Sequence, residues 1–396
     1  MSPSTRSVIV AGARTPIGRF RGAFASLQAV ELGAHAIRAA VERAGIAGEQ
    51  IDYTIMGHVL QAGAGQITSL QASIGAGLPK DVPAITINKV CLSGMSAIAM
   101  ADQMIRAGDI EVAVAGGMES MTNAPYVLPK GREGARLGDA ELIDSMIHDG
   151  LWSSFLDQHM GEGTDGVSAE LGLTREEQDA WAARSHVRAH AAWESGRMSE
   201  EVVTVEVPQR RGVSEAVDRD EGIRADTTPE ALAGLRPAFR PDGTITAGNA
   251  SQISDGASAV VVMSAERADE LGVAPLAEIV AYGMSSDRYP SLHTVPAMAM
   301  ERALKKAGLA SSDLGLVEIN EAFAAVPIHS MRLLGVDEEI VNVNGGAVAL
   351  GHPIGASGSR IVLTLIAEMR RRGVDLGGAA ICGGGGQGDA LVVRTT

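Results

Sequence analysis

Four residues combine a side chain and a setting suited to chemistry on a reactive carbonyl: Cys91, Asn320, His352 and Cys382. Cys91 follows a short apolar run and precedes Ser93-Gly94, where an apolar helical pattern begins. The first N–H groups of a helix are unpaired and its dipole is positive there, which favours a thiolate. A thiolate attacks thioesters readily, because exchange between two sulfurs is nearly balanced in energy. A lone cysteine is more often a small buried hydrophobe, so the position by itself decides nothing.

His352 lies in Gly345-Gly346-Ala347-Val348-Ala349-Leu350-Gly351-His352-Pro353-Ile354-Gly355-Ala356-Ser357-Gly358. The small residues leave its ring uncrowded, and Pro353 holds its backbone extended. It could act as a base toward a thiol or hydrogen-bond a carbonyl oxygen. The chain has nine histidines, and the glycine-rich loop singles this one out. Cys382 opens Cys382-Gly383-Gly384-Gly385-Gly386-Gln387-Gly388, whose glycines let backbone N–H groups approach a substrate oxygen, as an oxyanion hole requires. The run also fits the G-x-G-x-x-G spacing of dinucleotide sites. A strand-like Ala390 to Val393 follows it, however, and not a helix with a later acidic residue, so that reading is rejected. Asn320 ends the strand-like Leu316 to Ile319 and could orient a water or donate to an oxygen, although asparagine there more often caps a helix.

The elements that must position these residues read as α/β. Ser7 to Ala11 is a buried strand ending at Gly12, and a helix from about Leu27 to Arg43 stops at Gly45. A strand from Ile85 precedes Cys91, the helix from Ser93 ends near Gly108, and a strand from Val112 to Ala115 is closed by Gly116-Gly117. Toward the C-terminus, Ile340 to Val343 reads as a strand and Gly345-Gly346 as a turn. Ser357-Gly358 then opens a helix with Ile361, Val362, Leu365, Ile366 and Met369 on one face. Gly373 ends it, and a strand from Ala379 to Cys382 runs into Gly383-Gly384. The shared order (Ser-Gly, apolar helix, glycine stop, short strand, double glycine) implies two related halves. Between them, from about Ser120 to Gly248, the chain is richer in charge, with one well-signalled helix running from the capping box Thr174-x-x-Glu177 to Gly196. This is read as a long insertion in the first half; such insertions commonly cover a ligand site, and an ordinary surface excursion is the equal alternative.

At 396 residues the chain exceeds one simple core, and 45% hydrophobic with 20% charged residues is an ordinary globular balance. The 48 glycines and 3% aromatics suit helices lying close on a sheet. A formal net charge of −15 argues against nucleic acid and anionic membrane as partners. It leaves room for an anionic small ligand held by local cations and helix N-termini. Met1 to Ser7 is short and polar, no stretch approaches a membrane span, and the C-terminus is no address signal. The sequon Asn249-Ala250-Ser251 then reads as coincidence, and a reducing cytoplasm with free thiols is expected.

Ile87-Asn88-Lys89-Val90-Cys91-Leu92-Ser93-Gly94-Met95, Asn320-Glu321-Ala322-Phe323, Gly351-His352-Pro353 and the run from Cys382 to Gly388 resemble the four signature blocks of the thiolase family, in that family's order. Ala11-Gly12-Ala13-Arg14-Thr15-Pro16-Ile17-Gly18 is similar to its opening. Thr246-Ala247-Gly248-Asn249-Ala250-Ser251 with Asp255-Gly256-Ala257 is similar to its central block, so the likeness spans nearly the whole chain. The resemblance implies a thiolase-like five-layered α-β-α-β-α core of two pseudo-equivalent halves plus an inserted loop domain. Residues 1–119 and 251–274 would form the N-terminal half, 120–250 the loop domain and 275–396 the C-terminal half. It also implies a homo-oligomer, usually a tetramer in this branch.

The activity implied is ping-pong condensation of two acetyl-CoA to acetoacetyl-CoA and CoA, with no metal or redox cofactor. By the resemblance His352 takes the proton of Cys91, Cys91 carries the acyl group, and Cys382 removes a proton from the second acetyl-CoA. One oxyanion hole would combine His352 with a water held by Asn320; the other would use the N–H groups of Cys91 and Gly384. Ser251, His159, Met160, Ala238, Phe239, Ala322 and Phe323 fall on family positions lining the CoA pantetheine or thioester, and Arg224 on that of an adenine-side arginine. The Cys-Gly-Gly-Gly-Gly-Gln-Gly wording, with Gly150-Leu151-Trp152 and His159-Met160-Gly161, resembles the biosynthetic branch. Two departures bear on chain length: the family's Met-Gly-Thr-Gly-Pro appears as Leu292-His293-Thr294-Val295-Pro296, and Gln66 to Ser73 lacks the Asn-Pro-Ala-Arg wording. The rivals are a 3-ketoacyl-CoA thiolase for longer chains, a silent acyl-CoA-binding relative, from which at least one of the four residues would be expected to be missing, and a cysteine hydrolase, which leaves Cys382 unexplained.

Overall fold

The first strand, β1 (Ser7–Arg14), is buried along its whole length and has partners on both sides, which is why it reads as a continuous apolar run. It continues past Gly12, where the sequence suggested its end. A Cβ at Gly12 would fall 2.7 Å from the Leu363 side chain, so the glycine serves packing and not termination. These features come from a computed structural model that describes residues 6–134, 136–209, 212–288 and 291–396; most of the polar lead, residues 1–5, lies outside them.

Helix α1 (Ala29–Ala44) buries Leu32, Ala36, Ile37 and Ala40 at helical spacing and ends at Gly45 in the left-handed region, as expected. Then follow β2 (Tyr53–Gly57), α2 (Thr68–Ala76), β3 (Ala84–Ile87), α3 (Ser93–Ala107) and β4 (Val112–Ser120). Strand β4 passes straight through Gly116-Gly117, which correctly suggested something special but not a turn. A Cβ on Gly116 would meet the Ser258 carbonyl at 2.1 Å, and one on Gly117 the Gly355 carbonyl at 1.9 Å. Close backbone approach demands both glycines.

Between Ser120 and Ser254 the chain leaves this sheet. This segment holds α4 (Met160–Glu170), α5 (Arg175–Glu194) and a hairpin of Val205–Pro208 with Ser214–Val217. Helix α5 starts at the expected capping box: Thr174 Oγ1 accepts from the Glu177 N–H at 3.2 Å and Glu177 Oε2 accepts from the Thr174 N–H at 3.1 Å. The segment is anchored on β1 by Arg14, whose buried guanidinium donates to Glu201 at 2.6 Å and to both oxygens of Asp220 at 2.7 and 3.0 Å.

The chain re-enters as β5 (Ser254–Ser264) and continues with β6 (Ala277–Ser286), α6 (Val295–Ala307), β7 (Leu316–Ile319), α7 (Ala325–Leu334), α8 (Ser357–Arg372), β8 (Leu376–Gly383) and β9 (Gln387–Thr395). Ile340 to Val343 is not the expected strand. Asn342 takes a φ of 48° and its side chain bonds the Ile319 N–H and C=O at 2.8 Å each, leaving a single bridge from Val341 to Val317.

Strand order is β7-β8-β9-β6-β1-β5-β4-β2-β3, with the two-residue Gly18–Arg19 beside β5. Within the sheet, the strands of the two halves pair through Val8 opposite Glu278 and Ile9 opposite Ala277. The β2–β3, β2–β4 and β7–β8 pairs are parallel and the rest antiparallel. Helices α3 and α8 lie in the middle: Met95 and Ile98, with Ile361 and Leu365, share one core with Ile55 and Val260 of the first half and Ile381 and Leu391 of the second. Helices α1 and α2 cover the far face of the first half, and α6 and α7 that of the second. The layers therefore run helix, sheet, helix, sheet, helix, and α3 and α8, which both open on Ser-Gly, occupy equivalent places. Among the described residues no helix is long and apolar enough to cross a membrane.

Candidate active site

Cys91 sits in the turn between β3 and α3, behind a strained residue. Val90 has a φ of 51°, a region that β-branched side chains rarely enter. Local bonds hold it there: the Val90 N–H donates to Asn88 Oδ1 at 3.0 Å, the Lys89 N–H donates to Ser93 Oγ at 2.8 Å, and that hydroxyl donates to the Val90 carbonyl at 2.6 Å. The β8–β9 hairpin of the other half lies against this turn. A Cβ on Gly383 would fall 2.7 Å from Leu92, and one on Gly384 3.3 Å from Val90. The Gly384 N–H points to the Cys91 sulfur, and Cys382 lies near enough for Cys91 to raise its thiol.

Asn320 follows β7 and is held by its N–H, which donates to the Ala380 carbonyl at 3.0 Å, two residues before Cys382. Among the described residues neither its side-chain oxygen nor its nitrogen has a partner, though the residue is buried. The same is true of His352 Nε2. Buried polar groups are nearly always paired, so each of these side chains has hydrogen-bonding capacity left for a substrate oxygen or a water. The other ring nitrogen, Nδ1, lies 2.6 Å from Ser357 Oγ, which also lies 3.0 Å from the Pro353 carbonyl. When the hydroxyl proton points to that carbonyl, Nδ1 must donate and Nε2 is a free base. When it turns to Nδ1, Nε2 carries the proton and becomes a donor. The loop itself is pinned by Glu119, whose carboxylate accepts N–H groups of Gly355, Val59 and Leu60 at 3.0, 3.1 and 3.2 Å.

Burial governs the charges. It pushes the Cys91 thiol up to about 12, against the pull of the Gly384 and Cys91 N–H groups. The start of α3 favours the thiolate, as the sequence suggests, and burial works against it. Burial also raises Cys382, with a smaller contribution from Cys91. It lowers His352 to about 3, helped by the Arg360 guanidinium. The resting pair is a neutral thiol and a neutral imidazole.

An apolar wall adjoins Cys382. Ala322, Phe323 and Leu292 pack with it, and Met160 and Phe239 join from the inserted segment. His159 stacks on Phe239 with ring centroids 4.7 Å apart, and Phe239 meets Phe323 edge-on at 6.1 Å. The Ser251 N–H donates to the Ala322 carbonyl at 3.0 Å and the His352 N–H to the Gln252 carbonyl at 3.1 Å, so one short stretch carries both walls. Ala238 is exposed beside this wall, its N–H donating to Ile245 at 2.8 Å. Arg224 stands apart: its side chain is exposed and its N–H donates to His186 Nδ1 at 3.1 Å. A cavity of 450 Å³ runs along Lys89, Val90, Phe155, Met160, Gly384 and Gly385. A larger one of 760 Å³, between Leu128 and Ile143, touches none of these residues. Among the described residues no group of three or more His, Cys, Asp or Glu side chains could hold a metal.

Sequence reasoning missed Ser357 and Glu119, which hold His352 and its loop. Ser357 was legible only as the start of a helix, and Glu119 sits in an apolar strand with partners distant in sequence.

Comparisons with known proteins accord with this geometry. The family description "Thiolase, N-terminal domain" matches residues 7–266 and "Thiolase, C-terminal domain" residues 273–395. A probable acetyl-CoA acetyltransferase of Mycolicibacterium smegmatis is 54% identical over 387 residues, covering 98% of this chain and 100% of the relative. The acetyl-CoA acetyltransferase of Pseudomonas aeruginosa is 52% identical over 386 residues, 98% of each. The crystal structure of the Bacillus anthracis acetyl-CoA acetyltransferase superposes with a TM-score of 0.97 at 41% identity and covers 100% of both chains.

Proposed function

The chain belongs to the thiolase family, and on that premise we propose that it is an acetyl-CoA C-acetyltransferase, joining two acetyl-CoA into acetoacetyl-CoA and CoA. The observation that carries this reading is the meeting of Cys91 from one half with Cys382 from the other, beside two buried, unpartnered polar side chains, Asn320 and His352. Each half-reaction of a condensation needs a nucleophile or base and a place for a negative oxygen.

In this mechanism Nε2 of His352 takes the Cys91 proton as the sulfur attacks the carbonyl carbon of acetyl-CoA. The tetrahedral intermediate collapses, the C–S bond to CoA breaks, and the leaving sulfur takes the Cys382 proton. CoA departs as a thiol; acyl-Cys91, a Cys382 thiolate and a protonated His352 remain. The Cys382 thiolate then removes a Cα proton from the second acetyl-CoA. The resulting enolate carbon attacks acyl-Cys91, forming the C–C bond and expelling the Cys91 thiolate, which His352 reprotonates. One oxyanion would rest on His352 Nε2–H and a water held by Asn320, the other on the N–H groups of Cys91 and Gly384. The steps balance without a metal or redox partner, so CoA thioesters are the only small molecules required. His159, Met160, Phe239, Ala322 and Phe323 form the wall for the pantetheine, with Ser251 and Ala238 at its margin; Arg224 would meet only a distal part of CoA.

We read the protein as a cytoplasmic homotetramer. Support comes from β3, an unpaired sheet edge, and from Tyr126, Leu128, Leu137 and Leu142, apolar side chains exposed on one excursion. A second reading, thiolysis of longer 3-ketoacyl-CoA, rests on the departure at Leu292-His293-Thr294-Val295-Pro296, whose Leu292 packs with Cys382 and Phe323. The test is incubation with acetoacetyl-CoA and CoA, following loss of the enolate absorbance, beside Cys91→Ala. Rapid loss abolished in the variant supports the assignment; no loss with acetoacetyl-CoA but loss with a longer 3-ketoacyl-CoA moves it to the second reading.

A further inference from the structure

One buried carboxylate grips the nucleophile's turn from both sides. Asp389 lies in β9, fully buried, opposite Ile381 and one step from the pair Cys382 and Gly388. Its Oδ1 accepts from Lys89 Nζ at 2.8 Å and its Oδ2 from Ser96 Oγ at 2.7 Å. Lys89 precedes Cys91 by two residues and Ser96 follows it by five, on the first turns of α3. Tyr282 of β6, beside β9, adds a hydrogen bond from its phenol. Between the two arms sits Val90 at its φ of 51°, a conformation that persists only where the surroundings impose it.

We propose that Asp389 is a positioning residue: through Lys89 and Ser96 it holds the Cys91 turn against the β8–β9 hairpin and so fixes the separation of the two catalytic sulfurs. This rests on the two-cysteine mechanism above. Acylation of Cys91 already draws on the other half, since His352 takes its proton and Cys382 protonates the leaving sulfur. Carbon–carbon bond formation in addition requires the second acyl carbon, activated at Cys382, to meet the acyl group on Cys91. Both steps depend on how the two halves are set against each other, and a misplacement of about 1 Å can cost about 100-fold. A salt bridge that merely stabilised the fold would lower the thermal midpoint and leave kcat of the folded protein unchanged.

The test uses the full chain with Asp389→Asn, Lys89→Met and Ser96→Ala, measuring acyl-Cys91 formation from acetyl-CoA by rapid quench and mass spectrometry, steady-state turnover, and the thermal midpoint. In Asp389→Asn, kcat is expected to fall about 30-fold and the acylation rate with it, while KM stays within about threefold of wild type. The Lys89→Met change made in Asp389→Asn should add little, since both remove one contact. Ser96→Ala, which keeps the ion pair, guards against misfolding and should lower kcat several-fold with the midpoint held. Turnover unchanged in all three variants overturns the positioning role, as does a fall in turnover seen only in variants whose lowered midpoint leaves them partly unfolded at the assay temperature. Wild-type protein that forms no acyl-Cys91 overturns the mechanism itself, and this role with it.

Discussion

Gly94 and Gly358 face one another across the middle layer: a Cβ on Gly358 would fall 2.4 Å from the Met95 nitrogen, and one on Gly94 2.8 Å from the Ser359 nitrogen. The first turns of α3 and α8 thus touch backbone to backbone, with Cys91 just ahead of one and His352 just ahead of the other. No side chain can rotate away to make room. Gly358→Ala should therefore cost about 1–3 kcal/mol in urea unfolding. Its kcat should also fall by more than tenfold under conditions where the protein is fully folded, because the helices carrying the base and the nucleophile are forced apart.

Ser357 gives His352 its freedom to serve as base and as donor. Ser357→Ala removes a 2.6 Å contact to Nδ1 and leaves the ring without an orienting partner. A drop of about tenfold in kcat/KM is expected, the equivalent of one hydrogen bond, with the thermal midpoint little changed. An unaltered kcat/KM would assign the hydroxyl to the helix start alone.

The pH behaviour of Cys91 follows from its burial. With the thiol raised to about 12 and His352 lowered to about 3, the free enzyme holds a protonated sulfur across the working range. The thiolate fraction then rises tenfold for each pH unit below that value. Alkylation by iodoacetamide, read by mass spectrometry at Cys91, should climb steadily from pH 6 to pH 10 with no plateau. A plateau near neutrality would reveal a preformed thiolate–imidazolium pair.

Arg14 is 1% exposed and satisfies two buried acids, Glu201 and Asp220. Arg14→Met would strand both carboxylates in the interior. A loss of about 3–5 kcal/mol is expected in urea unfolding at neutral pH.

Helix ends were plain in the sequence because a left-handed cap admits few residues other than glycine: Gly45, Gly108 and Gly373 all take positive φ at the expected stops. The start of α5 was equally plain, since Thr174 and Glu177 satisfy each other locally. Gly116 and Gly117 misled for the same reason. Nothing nearby in sequence tells a glycine that turns the chain from one that admits the Ser258 and Gly355 carbonyls. Within the site, Cys91, His352 and Cys382 stood out by their glycine-rich neighbours. Asp389 did not, because its lysine partner lies 300 residues away and an acid in an apolar strand has no local meaning. Arg224 shows the converse: a motif position gives no guide to where an exposed side chain points.

The place of β9 has a consequence for synthesis of the chain. Among the described strands it follows all the others in chain order, yet it lies inside the sheet, between β8 and β6. Until it arrives, two strand edges stay open in mid-sheet, and Lys89 and Ser96 wait without the acid that draws them together. The second half therefore cannot close before residues 387–395 have been made, and a polypeptide ending at residue 386 is expected in the insoluble fraction of an expression lysate.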